Sequence, residues 1–144
     1  MAARPYRPGV TRCVVNRIVR ALLRLGLGPP RTYLLVVPGR KTGRLQSVPV
    51  TLVEAPPDRW LVAPYGVVQW VRNVRAAGRL TLARGRRAET LRAVECDPRE
   101  SAPVLRAYVH QVPITRPFFD VTLASTLEEF EAEAPRHPVF RLLP

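Results

Sequence analysis

The residue types best suited to chemistry stand in one short run, Gly39-Arg40-Lys41-Thr42-Gly43-Arg44, with Gln46 and Ser47 just after it. Arg40, Lys41 and Arg44 supply fixed positive charge, and Thr42 and Ser47 supply hydroxyls. Two glycines permit positive φ and a close approach of backbone to a bound group. Cations beside outward-turned backbone N–H groups suit a phosphate or a carboxylate. The G-x-x-x-x-G-K spacing of a nucleotide-binding P-loop is absent. Lys41 is the only lysine in the chain; every other basic residue is an arginine. A lysine kept against such a bias points to a specific task, because its compact ammonium differs from arginine's planar fork.

A second group lies about thirty residues on. It comprises Pro64-Tyr65-Gly66 and then Gln69-Trp70-Val71-Arg72-Asn73. Trp70 and Val74 fall four apart on one helix face. Asn73 shares the helix interior, where an amide needs a partner. The chain offers no nucleophile–base pairing and no carboxylate pair. Cys13 and Cys96 are far apart and outside any C-x-x-C pattern, which argues against a disulfide framework and fits a reducing cytoplasm. His110 and His137 have no ligand cluster around them in sequence, so no metal site is expected.

These residues must be positioned by something. At 144 residues, with 47% hydrophobic residues, the chain fits one domain with a real core. A net charge of +12 calls for an anionic partner without saying which. No run of eighteen apolar residues exists, so no bilayer-spanning helix is expected. Residues 1–10 read as an arm rich in Pro and Arg. Residues 11–27 read as an amphipathic helix, with Val14, Val15, Ile18, Val19, Leu22, Leu23 and Leu25 opposite Arg12, Asn16, Arg20 and Arg24. That face packs on its own domain or, with arginines opposite aliphatics, lies on an anionic membrane surface.

Residues 32–37 and 48–54 read as strands flanking the cationic turn, and residues 59–64 as a third strand. Residues 67–76 read as a short helix, and 80–83 with 88–95 as a hairpin whose tip, Arg84 to Arg87, is solvated. Asp97 caps a helix over 98–110 with Pro103 as a defect, and Ser125 or Thr126 caps one over 127–134. Residues 116–121 have no clear form. Residues 137–142 read as a last strand or a docked tail. About six short, hairpin-joined strands with helices at both ends favour a barrel or a sandwich over a doubly wound sheet.

The pairing of Gly39–Arg44 before Val48-Pro49 with Trp70–Ala76, followed by a D-P-R-E helix start, resembles the deazaflavin-dependent nitroreductase family within the wider flavin/deazaflavin oxidoreductase group. The likeness spans roughly residues 30–110. It implies a mainly β fold with flanking helices, a split β-barrel of the FMN-binding type. It also implies coenzyme F420 as cofactor, with FMN as the variant. By that resemblance Arg40, Lys41 and Thr42, with Arg44 beside them, contact the cofactor's phosphate or polyglutamate tail. Gln46, Ser47, Val48, Pro49 and Val50 line it. Ala63, Pro64, Tyr65 and Gly66 lie along the deazaflavin ring, and Gln69, Trp70, Val71, Arg72 and Asn73 complete the pocket. The family often carries a basic residue where Gln46 stands, and the loop between Tyr65 and Trp70 is shorter here. The tyrosine-rich C-terminal segment of the nitroreductases finds its nearest counterparts in Tyr108, Phe118 and Phe119.

The implied activity is hydride transfer from reduced deazaflavin to a quinone, a nitro compound or an activated alkene, with a small-molecule acceptor as the partner. The cofactor carries the hard chemistry, and Tyr65 or water supplies the proton. Two other classes compete: an F420 or FMN carrier with little turnover, and a basic nucleic-acid-binding barrel. Basic residues interleaved with stacking aromatics are missing, so no specific nucleic acid is expected. A cytoplasmic enzyme is the expectation, held at the inner face of the membrane if residues 11–25 bind lipid, and a homodimer if it follows other split-barrel oxidoreductases.

Overall fold

The computed structural model describes residues 10–144, with side chains from residue 17 onward, so the arm expected over residues 1–9 lies outside the described residues. Helix α1 (Val10–Arg24) is followed by strands β1 (Thr32–Pro38), β2 (Leu45–Ala55) and β3 (Asp58–Val62). Helix α2 (Gln69–Ala77), strands β4 (Arg79–Arg84) and β5 (Arg87–Glu95) and helix α3 (Pro98–Gln111) come next. A 3-10 turn (Pro113–Phe118), helix α4 (Leu127–Glu133), a second 3-10 turn (Ala134–Arg136) and strand β6 (Val139–Leu143) complete the chain.

The six strands close into one antiparallel barrel in the order β1-β2-β3-β6-β5-β4. The hairpin around the cationic turn pairs Val36 with Ser47 and Pro38 with Leu45. Period-two alternation sends one side of each strand inward. Leu35, Val37, Leu52, Leu61, Leu80, Leu82, Leu91, Phe140 and Leu142 fill the interior, and Val71 and Val74 of α2 join them. The opposite faces of β2, β3 and β6 carry Val53, Val62 and Val139 into a second apolar cluster against α3 and α4.

Several expectations need correction. Of the two readings of residues 137–142, a last strand or a docked tail, the strand is the one found: β6 pairs with both β3 and β5 and so closes the barrel. The third strand is Asp58–Val62, and one more bond in its register, Ala63 N–H to Pro138 O at 2.9 Å, follows its end. Helix α1 stops at Arg24 rather than near residue 27. Gly26 takes φ +79°, and Gly26 N–H and Leu27 N–H bond to the carbonyls of Leu23 and Leu22. That is a Schellman ending, which needs a residue without Cβ strain at this position. The Arg84–Arg87 tip is docked rather than solvated: Gly85 N–H donates to Leu23 O at 2.7 Å, and the Arg84 guanidinium donates to the carbonyls of Gly28, Pro29 and Thr32. Of residues 116–121, which have no clear form in the sequence, 116–118 end the first 3-10 turn, Pro113–Phe118. Of the two proposed caps for α4, Thr126 does the work in a full capping box with Glu129. Asp97 accepts the Glu100 N–H at the start of α3, as its position suggests.

Candidate active site

A cavity of about 640 Å³ opens beside β2. β2 contributes Gln46 through Thr51, the segment after β3 contributes Pro64 and Tyr65, and α2 begins there with Gln69, Trp70 and Arg72. Tyr108 of α3 and Thr115 of the 3-10 turn form the far wall, and Arg20 reaches in from α1. Elements distant in sequence are brought together by the barrel, so no single motif could show the site whole.

The cationic turn lies outside the cavity lining and is joined to it where Arg40 Nη1 donates to Gln69 Oε1. Gly39 N–H bonds to Arg44 O and Gly43 N–H to Gly39 O, both at 2.8 Å. Arg44 N–H bonds to Thr42 Oγ1 and Arg40 N–H to Asn73 Oδ1. Gly43 takes φ +73°. Gly39 does not need a positive φ; it needs space, since a Cβ there would meet Gln46 Nε2 at 3.1 Å and Thr42 Oγ1 at 3.2 Å. Three of the turn's N–H groups are therefore spent within it and a fourth, that of Arg40, on Asn73. This narrows the expectation that its backbone is turned outward, while the side chains of Arg40, Lys41 and Arg44 are exposed.

Asn73 is the turn's anchor. It is 2% exposed, and its Oδ1 accepts from Arg40 N–H at 3.1 Å and Arg40 Nη1 at 2.9 Å. Its Nδ2 donates to Gln46 Oε1 at 3.4 Å, and Arg40 Nη1 also donates to Gln69 Oε1 at 2.9 Å. A buried amide so satisfied is no core accident. No side chain caps α2, so the positive end of its dipole lies among the same residues.

Of the residues singled out from sequence, Gln46, Ser47, Val48, Pro49, Val50, Pro64, Tyr65, Gln69, Trp70 and Arg72 lie on the cavity wall. Arg40, Lys41, Thr42 and Arg44 lie in the turn, and Asn73 behind it. Ala63 and Val71 have side chains in the barrel core, 1% and 0% exposed. Gly66 (φ +87°) backs onto Arg136, whose carbonyl a Cβ would approach to 3.4 Å. Trp70 is both core and wall: it packs on the barrel interior, its ring 6.4 Å from that of Phe140, and borders the cavity.

Sequence reasoning missed Arg20 and His137, and reached Tyr108 only through the likeness to the nitroreductases' C-terminal segment. Arg20 reads as a solvent-side residue by helical spacing, yet it lines the cavity with a buried Nε that has no partner. Tyr108 is buried, and burial raises its hydroxyl pKa, with the charge of Tyr65 adding to the rise. His137 lies 3% exposed behind Pro64. Desolvation lowers its basicity, while the hydrogen bond and charge of Glu133 pull it back up.

The donor set fits a ligand with an anionic end and a flat, mostly apolar body. Arg72 lines the cavity, with Arg40 of the turn bonded to the neighbouring Gln69; Val48, Pro49, Val68 and Trp70 make a smooth wall, and the orphaned Arg20 Nε waits as a donor.

Comparison with known proteins agrees with this geometry. An F420-H2 dependent reductase (FDR-A) superposes with a TM-score of 0.54 at 22% identity, over 78% of this chain and 94% of that one. A chain described as a domain-swapped dimer superposes with a TM-score of 0.57 at 20% identity, over 93% and 99%. A FAD-binding protein from Mesorhizobium loti superposes with a TM-score of 0.50 at 14% identity, over 88% and 87%. At these identities the likeness establishes the split β-barrel fold. No curated protein matches the sequence. The model of the F420H(2)-dependent quinone reductase family matches residues 11–116, well over half the chain. The chain therefore belongs to the F420H(2)-dependent quinone reductase family, enzymes whose cofactor is coenzyme F420.

Proposed function

We propose that the chain reduces a quinone in the cavity beside β2, and that the cavity's polarity sets the reactants' places. The observation that carries this reading is one cavity that joins a flat apolar and aromatic wall to Arg20 and Arg72, with Arg40 of the cationic turn bonded to Gln69 of its lining. Reduced F420 supplies the hydride. Arg40, Lys41 and Arg44 hold the phosphate and polyglutamate tail, with Thr42 beside them. Gln46 to Val50 and Gln69 to Asn73 line the middle, Ala63, Gly66 and Val71 through backbone alone. Pro64, Tyr65 and Trp70 border the ring, and Val68 with Trp70 keeps water from that face.

The acceptor gains the hydride and one proton, which turns a quinone into a hydroquinone. Tyr65, Tyr108 and bound water are the proton sources the wall offers. Arg20, with its unpaired Nε, stabilises negative charge that develops on the acceptor oxygen. Nitro compounds and activated alkenes accept the same hydride and belong in the same substrate panel. The test is fluorescence titration with F420 and separately with FMN at two salt concentrations, followed by turnover across that panel. Salt-sensitive binding of F420 over FMN with quinone turnover is the expected result. Stoichiometric binding with no turnover of any acceptor would leave a carrier.

A second reading concerns α1. Among the described residues no helix is long and apolar enough to cross a membrane. Yet Ile18, Leu25 and Leu27 are 55%, 73% and 55% exposed, beside exposed Arg17 and Arg24. An aliphatic surface edged with arginine supports peripheral binding to anionic lipid, where quinones also reside. Flotation with anionic vesicles, compared between the parent and an Ile18→Ser, Leu25→Ser variant, tests it. A homodimer is proposed on the barrel fold alone, and light scattering decides it.

A further inference from the structure

We propose that His137 is a positioning residue for the acceptor side of the cavity, holding the Pro64–Tyr65–Gly66 wall through the Pro64 carbonyl. The kinetic part of the inference rests on the quinone-reductase reading above; the structural part does not.

His137 Nδ1 lies 2.9 Å from Pro64 O. A carbonyl only accepts, so Nδ1 carries a proton and donates it. Nε2 lies 3.0 Å from Glu133 Oε2. Two such atoms meet at that distance only with a proton between them. Glu133, 2% exposed, also accepts from Asp120 N–H at 3.0 Å and from the Arg136 guanidinium, which in turn pairs with Asp120. Phe119 stacks on the imidazole at 3.9 Å and 18°. The ring is thus fixed in tautomer, in plane and in position.

What it fixes is the cavity wall. Ala63 N–H bonds to Pro138 O at 2.9 Å, so the stretch around His137 grips the wall segment on both sides of Pro64. Gly66 meets the Arg136 carbonyl. The Tyr65 ring meets Phe118 edge-on at 4.8 Å, next to the Phe119 that covers His137. A buried His–Glu pair is a costly way to fill space, since an apolar pair of equal volume packs as well without desolvation. Here it ends on a carbonyl whose next residue borders the cavity.

Two conservative changes divide the two bonds of the ring. The His137→Asn change would place an amide N–H near the Nδ1 position, toward Pro64; the His137→Gln change would place one near Nε2, toward Glu133. The experiment measures amide hydrogen exchange at Tyr65, Gly66 and Val67, F420 affinity, and quinone kcat and KM for His137→Asn, His137→Gln and Glu133→Gln. We expect exchange to quicken in His137→Gln and to stay near the parent's in the other two. We expect kcat/KM for quinone to fall roughly tenfold to a hundredfold in His137→Gln alone, with F420 affinity within about twofold throughout.

Equal exchange and kinetics in all four proteins would overturn the proposal, as would equal losses in both His137 variants. If the His137 variants do not fold, Glu133→Gln still decides, because it leaves the Pro64 bond intact: quickened exchange there would sink the idea. Should the parent bind no F420, the exchange measurement still reports on His137 while the functional reading falls by itself.

Discussion

Asn73 and Arg40, thirty-three residues apart, are joined twice: one amide oxygen accepts both the backbone N–H and the guanidinium of Arg40. The turn before β2 is therefore not held by its own hydrogen bonds alone. It is pinned to the helix that forms the opposite side of the cavity.

Replacing Asn73 by Ala should loosen that turn while leaving Arg40, Lys41 and Arg44 in the chain. The expected loss in stability is about 1–3 kcal/mol, for a buried donor left unpaired. F420 affinity should fall by roughly tenfold, equivalent to about 1.4 kcal/mol. Asn73→Asp, which keeps the accepting oxygens, should recover most of the affinity. Denaturant melts and fluorescence titration check both; equal affinity in Asn73→Ala and the parent would mean the turn is not the tail's site.

The double variant Lys41→Ala, Arg44→Ala removes exposed charges that make no packing contribution. Its melting behaviour should match the parent within about 0.5 kcal/mol. Its F420 affinity should be lower at low salt and converge on the parent's as salt rises, because screening removes the same attraction. Parallel salt curves would place the anionic tail elsewhere.

Gly85→Ala should destabilise the protein by about 2 kcal/mol. Gly85 has φ +60°, where a Cβ is strained, and that Cβ would stand 3.0 Å from Gly26 Cα. Both partners are backbone, so neither can swing aside. Thermal melts check the loss, and limited proteolysis should show cleavage moving into the α1–β1 connection.

Cys96, half-buried just after β5, gives a test by pH. Burial, then the charge of Glu100, pushes its thiol pKa up to about 12 from an ordinary value of 9.0. The unfolded thiol gives up its proton first, so above pH 9 the unfolded state binds fewer protons than the folded one. Stability from this group is intact below pH 9 and is lost as pH rises from about 9 toward 12. Cys96→Ala should flatten that alkaline decline. At pH 8, iodoacetamide should modify Cys96 far more slowly in the folded protein than in urea, as peptide mass spectrometry would show.

The cationic hairpin and α2 are legible because their signals are local. Glycine-bounded charge between two alternating runs can hardly be anything but strand, turn, strand, and Trp70, Asn73 and Val74 share a helical spacing. What stayed hidden is what the barrel assembles from afar. Val139–Leu143 is short and apolar, and nothing within it says that it pairs with β3 on one side and β5 on the other. Arg20 lies on the polar side of its helix by spacing, but the barrel wall reaches round to that side. Glu133 sits in a short acidic helix, and only the fold shows it buried against His137. Arg84 looks like one more charge at a hairpin tip, until two carbonyls from the α1–β1 connection and that of Thr32 at the start of β1 meet it.

The place of β6 in the strand order also constrains how the protein is made. Its two neighbours, β3 and β5, leave the ribosome well before Val139–Leu143 does, and synthesis runs from the N-terminus. Until that segment emerges, the nascent sheet has two open edges whose unpaired N–H and C=O groups can recruit other chains. A polypeptide interrupted before Val139 keeps both edges for its lifetime, and with them the habit of sticking to its own kind.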